Sequence, residues 1–204
     1  MSPVTPSFQS DHSHELAHQI YSTRIKDLFF LKHNFNPDER GSYSELAKIP
    51  HLDEVTGQKF QLRQLNLSHS KTHVTRGLHA EGWNKLATVI SGAAYCALAD
   101  IRPDSPTFGR VESFYLGALP PSERGCLYIP QGVANSFCIV EGSADYLYAV
   151  DKLYQDRDPQ QDQAISLFDP DLRITWPIPK SEMIISERDR QSVTLRELFP
   201  DKFK

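Results

Sequence analysis

His79 is the last of the eight histidines in this 204-residue sequence. It stands in Arg76-Gly77-Leu78-His79, six residues ahead of Lys85. An imidazole is the side chain best suited to move a proton near neutral pH, but it needs a partner to orient it. No histidine follows His79, so that partner must come from the carboxylates and tyrosines of the C-terminal half.

Other chemistries fit the residues less well. His79 and Glu81 have the His-x-Glu spacing of a strand-borne metal site. Such sites in two-sheet folds take a further His after a Pro-x-Gly turn. Here Pro130-Gln131-Gly132 leads to Asn135 at that place, and asparagine is a poor ligand for a transition metal. No Gly-x-Ser-x-Gly elbow and no phosphate-cradling glycine loop occurs. Cys96, Cys126 and Cys138 lie in apolar segments, odd in number and without metal spacing, so they read as buried free thiols. What remains is metal-free acid–base chemistry.

The elements that would position such groups read as β. Runs at 86–90, 93–99, 111–116, 126–129, 136–140 and 146–150 recur every 10 to 15 residues. Ser91-Gly92, Pro103-Asp104, Pro120-Pro121, Pro130-Gln131-Gly132 and Glu141-Gly142 break them. No long helical pattern separates them, which excludes βαβ units and predicts an antiparallel sandwich. A jelly roll is the most economical form, because its two sheets enclose a pocket. A strand is expected between Arg24 and Leu31, and another from Phe60. The capping-box spacing of Ser42 and Glu45 predicts a short helix ending at Pro50, and Thr194 with Glu197 predicts a terminal turn. Residues 1–22 form a polar extension in which 15–21 could make one or two helical turns. Residues 23–204 form a single domain.

Composition sets outer limits. Hydrophobic residues are 39% and charged residues 24%, the balance of a globular protein. A net charge of -4 disfavours nucleic acid as a partner. No apolar run approaches a membrane span and no signal-peptide pattern opens the chain, so a cytoplasmic location without membrane association is expected.

Several further motifs fall into one register. Asp38-Glu39-Arg40-Gly41 with Glu45 comes first, followed by Gln64-x-Asn66-x-Ser68-x-Ser70 and then Arg76-Gly77-Leu78-His79. Lys85-Leu86, Asp100-Ile101-Arg102, Ser105-Pro106-Thr107-Phe108-Gly109 and Ile129-Pro130-x-Gly132 continue it. Asp169-Pro170, Trp176-Pro177 and Ser186-Glu187-x-Asp189 complete it. In this order the chain resembles the dTDP-4-dehydrorhamnose 3,5-epimerase family from residue 24 to about 198. Taken singly, each motif has an ordinary structural explanation. Arg40 could cap a turn through Asp38, Lys85 could be a solvated strand end, Tyr148 a core tyrosine and Asp169-Pro170 a turn.

The resemblance implies an all-β, cupin-like jelly-roll sandwich with short peripheral helices, usually a homodimer. It implies inversion of the carbons flanking the 4-keto group of a nucleotide-linked 6-deoxy sugar, with no metal and no redox cofactor. His79 matches the base, Asp169 the carboxylate that orients it, Lys85 the cation at the keto oxygen and Tyr148 the acid that returns a proton. Arg40, Glu45, Gln64, Asn66, Arg76 and Asn135 match the substrate-binding set. The chain also departs from the pattern. Asn135 replaces a usual His, Cys96 a usual Asp, Ala149 a usual Lys, and Thr75 an apolar residue. These changes predict a related 4-keto sugar, or inversion at one centre only. A sugar 3,4-ketoisomerase and a catalytically silent sugar-nucleotide-binding homologue are the alternatives.

Overall fold

The computed structural model describes residues 7–118 and 121–203. Pro120 of the expected Pro120-Pro121 turn lies outside them, as do residues 1–6 of the extension. In chain order the strands are β1 (Glu15–Ala17), β2 (Ile20–Ser22), β3 (Phe29–Lys32), β4 (Asn34–Asp38) and β5 (Gly41–Glu45). Helix α1 (Ile49–Thr56) precedes β6 (Gln64–Lys71), β7 (Thr75–Ala80), β8 (Lys85–Ser91), β9 (Ala93–Asp100) and β10 (Val111–Gly117). Then come β11 (Gly125–Ile129), β12 (Val133–Cys138), β13 (Ser143–Val150), β14 (Gln163–Ala164), α2 (Glu187–Arg190) and α3 (Leu195–Leu198).

Two antiparallel sheets form the expected sandwich. One runs β1-β2-β3-β11-β8-β13-β6 and the other β10-β9-β12-β7-β14, while β4 and β5 make a separate hairpin. Strand parity decides which side chains face inward, because successive residues point to opposite faces. On β9, Ala94, Cys96 and Leu98 enter the core between the sheets, whereas Ala99, with Ile101 just past the strand, belongs to a second cluster outside. On β11, Leu127 and Ile129 point in while Cys126 and Tyr128 point out. The outward clusters are covered by the C-terminal segment on one side, through Ile165, Leu172, Met183 and Leu195, and by Leu52 of α1 and Phe60 on the other. All three cysteines are free and buried.

Local expectations failed where chain geometry overrode a short motif. Residues 15–21 are not helical. His18 and Gln19 adopt left-handed backbones (φ 54° and 59°), giving a two-residue hairpin between β1 and β2. Tyr21 then joins the central core. Ser42 and Glu45 lie within β5 instead of starting a helix. Pro50, expected to end that helix, sits in the first turn of α1, where a missing N–H costs nothing. Gly57 closes α1 in the left-handed region (φ 67°). The Thr194 capping box is present as expected, with both reciprocal bonds to Glu197. No helix among the described residues is long and apolar enough to cross a membrane.

Candidate active site

The same parity aims polar side chains into one end of the sandwich. Ala87 and Val89 of β8 face the core, so Lys85 faces it too. Val133 and Phe137 of β12 face inward, and so does Asn135 between them. Leu78 and Ala80 of β7 point outward, which turns His79 inward. Tyr146 and Tyr148 of β13 alternate toward the same side. A cavity of about 320 Å³ results, lined by His79, Lys85, Asn135, Tyr148 and Arg76 together with Ser68, Glu81, Phe137, Tyr146, Ser186, Arg188 and Asp189. β7 and β12 form one wall, while β6, β8 and β13 of the other sheet face it. Gly77 lets β7 and β12 of the first wall come this close. It has φ +125°, and a Cβ there would meet Ser136 Cβ and Asn135 O.

His79 does find a carboxylate, but a different one from that expected. Its Nε2 lies 2.6 Å from Oδ1 of Asp189, whose side chain is only 3% exposed. Asp189 sits in the first turn of α2, where the Ser186 hydroxyl accepts its backbone N–H at 3.2 Å. Burial pushes the Asp189 carboxyl upward. The hydrogen bond and charge of His79, with help from Ser186 and the Gly77 N–H, outweigh it and leave the group below the usual carboxylate range.

The assignment of Asp169 as the orienting carboxylate is therefore corrected. Its Oδ1 accepts the backbone N–H groups of Asp171 (2.9 Å) and Leu172 (3.0 Å), and its Oδ2 accepts that of Leu195 (2.6 Å). A carboxylate so engaged ties the C-terminal segment together and does not line the cavity. The signal for Asp189 was present in Ser186-Glu187-x-Asp189, a helix-start pattern that carried no assigned role.

On the facing wall, Lys85 is buried and donates to Glu81 Oε2 at 3.0 Å and to Asn135 Oδ1 at 3.4 Å. Its ammonium lies 5.1 Å from the centroid of the Tyr148 ring. The Asn135 amide also donates to His79 O at 2.9 Å and to Glu81 Oε2 at 3.4 Å. A neutral imidazole offers one donor and one acceptor, so the amide serves a partner set that a histidine could not. The Tyr148 phenol is raised above its ordinary value, chiefly by burial and then by the Glu81 charge, against a lowering influence from Arg76. Cys96 is fully buried in the same core cluster as Phe137 and Tyr146 and does not line the cavity. Those two rings stack at 4.3 Å.

The remaining predicted residues are spread more widely. Arg76 lines the cavity, with its Nε donating to Ser70 Oγ at 3.2 Å. Asn66 is the cross-strand neighbour of Tyr148, and Gln64 that of Val150. Both extend the Ser68 row beyond the cavity, and the Gln64 amide donates to Asn66 Oδ1 at 2.7 Å. Arg40 and Glu45 lie on the β4–β5 hairpin and do not line it. Arg40 is exposed and pairs with Asp38. Glu45 lines a separate cavity of about 210 Å³ beside the stacked rings of His18 and His51. Arg188 and Tyr146 were not anticipated as part of a binding site, and Glu81 was considered only beside His79 as a metal ligand. Their direction into the cavity follows only once the turn after β7, the helix α2 and the strand β13 are placed.

Residues 22–197 match the family profile described as dTDP-4-dehydrorhamnose 3,5-epimerase. The Escherichia coli (strain K12) enzyme of that name is 30% identical over 183 residues, covering 88% of this chain and 95% of that one. Among solved structures, a Legionella pneumophila dTDP-6-deoxy-D-glucose-3,5-epimerase in complex with dTDP-4-keto-L-rhamnose is 29% identical. It has a TM-score of 0.78 over 89% of this chain and 95% of its own. NovW, a 4-keto-6-deoxy sugar epimerase from Streptomyces spheroides, is 26% identical with a TM-score of 0.81, covering 99% and 96%.

Proposed function

The chain belongs to the dTDP-4-dehydrorhamnose 3,5-epimerase family, and from that premise we propose that it inverts one or both carbons flanking the keto group of a nucleotide-linked 4-keto-6-deoxy sugar. One observation carries the reading. The His79–Asp189 pair stands on one wall of the cavity, and Lys85 and Tyr148 stand on the wall of the opposite sheet.

A C–H bond beside a ketone is acidic because its electron pair delocalises onto the oxygen. His79 removes that proton, and Asp189 stabilises the imidazolium that forms. The electrons of the broken bond pass to the keto oxygen, where the Lys85 ammonium meets the negative charge. Tyr148 then gives its phenolic proton to the carbon from the other face. The raised phenol stays protonated near neutral pH and is available for this step. Deprotonated Tyr148 and protonated His79 return to their starting states by exchange with solvent. Arg76 and Arg188, both lining the cavity, suit a diphosphate. Gln64 and Asn66 extend the same face toward the nucleoside. The buried free thiols Cys96, Cys126 and Cys138 fit a reducing cytoplasm as the place of action.

The assembly we infer is a homodimer. Part of the outer face of the larger sheet is covered by α1 and Phe60, but Leu62, Leu65 and Leu67 beside it remain exposed. The β4–β5 hairpin exposes Phe35 and Tyr43 and carries Arg40 away from its own cavity. We infer that Arg40 and Glu45 serve the cavity of a neighbouring subunit. Sedimentation should give a dimer that Leu67→Asp dissociates, and a monomeric wild type would remove this part.

The catalytic reading is tested by incubating the protein with nucleotide 4-keto-6-deoxy sugars in deuterium oxide. Deuterium at C3, C5 or both, with inversion, is expected. Migration of the carbonyl would instead establish a ketoisomerase, and no exchange with any sugar would leave only a binding protein.

A further inference from the structure

Glu81 has no part in the proton transfers described above, yet it lies inside the same cavity. Its Oε2 accepts from the Lys85 ammonium at 3.0 Å and from the Asn135 amide at 3.4 Å. Its backbone carbonyl accepts the Gly132 N–H at 3.2 Å, which ties the residue to the turn preceding β12. The side chain is 20% exposed against 6% for Lys85, so the carboxylate is open to the cavity while it grips a buried cation. A buried ammonium on a flexible four-carbon stem needs such a partner to hold one direction. Here two acceptors, Glu81 and Asn135, fix it beside the Tyr148 ring.

We propose that Glu81 is a positioning residue for the epimerisation, acting through Lys85 and Tyr148. The inference rests on the proposed function and adds a residue to it. Through Lys85, the carboxylate aims the cation at the keto oxygen and yields part of it as negative charge develops there. Through space, its charge opposes ionisation of the Tyr148 hydroxyl and so keeps the proton that must be delivered. The other groups bearing on that hydroxyl are Arg76 from β7, which favours ionisation, and Tyr154, which opposes it. Lys85 and Tyr146 lie close to its ring.

The test compares Glu81→Gln, Glu81→Ala and Glu81→Asp with the wild type, after circular dichroism has established folding. In Glu81→Gln, kcat should fall about tenfold or more with KM changed by less than about twofold, because the loss is confined to the transition state. The alkaline limb of the pH–rate profile should move to lower pH, and Glu81→Asp should recover part of the rate. Independently of any substrate, the Tyr148 phenol signal, assigned by its absence in Tyr148→Phe, should titrate at lower pH in Glu81→Gln. Wild-type kcat and pH profile in Glu81→Gln would overturn the proposal. So would a lower kcat with an unmoved profile and no recovery in Glu81→Asp, which would mark a merely structural role. If the wild type inverts no sugar, the function reading fails by itself. The phenol titration then decides on Glu81, and an unmoved titration overturns it.

Discussion

Replacing Asp189 by Asn while keeping Asp169, and the reverse, separates two carboxylates that the sequence alone confuses. The Asp189 Oδ1 to His79 Nε2 contact is 2.6 Å and its carboxylate is almost fully buried, so the bond is charge-assisted and poorly screened. A hydrogen bond to a charged group contributes about 1.5–3 kcal/mol. If that stabilisation is lost only in the transition state, where His79 carries the proton, kcat falls roughly 10- to 150-fold. An amide could also donate to Nε2 and hold the wrong tautomer, which pushes the loss toward the upper end. Asp169→Asn should behave differently. The amide keeps one acceptor oxygen, but its NH2 leaves either the Leu195 N–H or the Asp171 and Leu172 N–H groups without an acceptor and facing a donor. We expect a stability loss of about 3 kcal/mol and a drop in Tm of roughly 6–12 °C, with kcat per folded molecule close to wild type. Stopped-time NMR of sugar inversion gives kcat, and differential scanning calorimetry gives Tm. Wild-type turnover in Asp189→Asn, or a hundredfold loss in Asp169→Asn at unchanged Tm, would refute the reasoning.

Other perturbations have equally definite outcomes. His33 is buried against Cys126 and its pKa is lowered from 6.5 to about 4, by burial and then by the Arg124 charge. The unfolded chain therefore binds a proton that the folded one refuses, and stability falls as pH drops through 6.5, levelling off below about 4. At pH 4.5 this single group should cost about 2–3 kcal/mol in urea titrations, and His33→Phe should remove that slope; an unchanged slope would contradict it. Asp100 is fully buried and accepts from Arg102 at 2.8 Å and from Ser105 and Thr107. Asp100→Asn should destabilise by about 3 kcal/mol, read as a lower urea midpoint with an unchanged m-value. Burial raises the Asp100 carboxyl, but those three partners together hold it below 3.8. Its contribution is thus present above that pH and lost as pH falls through the lower folded value.

The sandwich was legible because most of its strands carry unbroken apolar runs between Gly and Pro turns. Leu86–Ile90 and Ala93–Ala99 emerge almost as read, within β8 and β9. The elements missed lack that signature. β7 holds Arg76, Gly77 and His79 among its six residues, and its order comes from pairing with β12 and β14. The hairpins β1–β2 and β4–β5 are short and carry no long apolar run, and tertiary pairing overrode the local helix signals at 15–21 and 42–45. In the site, His79, Lys85 and Tyr148 were legible from residue type and family register. Asp169 was not separable from Asp189 in that way. Both follow a serine-bearing turn, and only the closure of the C-terminal segment over β7 decides which carboxylate meets the imidazole. Asp169-Pro170 is a turn, as its bare dipeptide chemistry suggests.

The division of labour between the two walls is open to one direct measurement. Tyr148→Phe and His79→Ala, each incubated in deuterium oxide with the accepted nucleotide 4-keto sugar, are followed by proton NMR at C3 and C5. If His79 abstracts the proton and Tyr148 returns one from the other face, Tyr148→Phe will still wash deuterium into the sugar without inverting it. His79→Ala will then do neither. Exchange that persists in His79→Ala, or inversion that persists in Tyr148→Phe, would contradict the account.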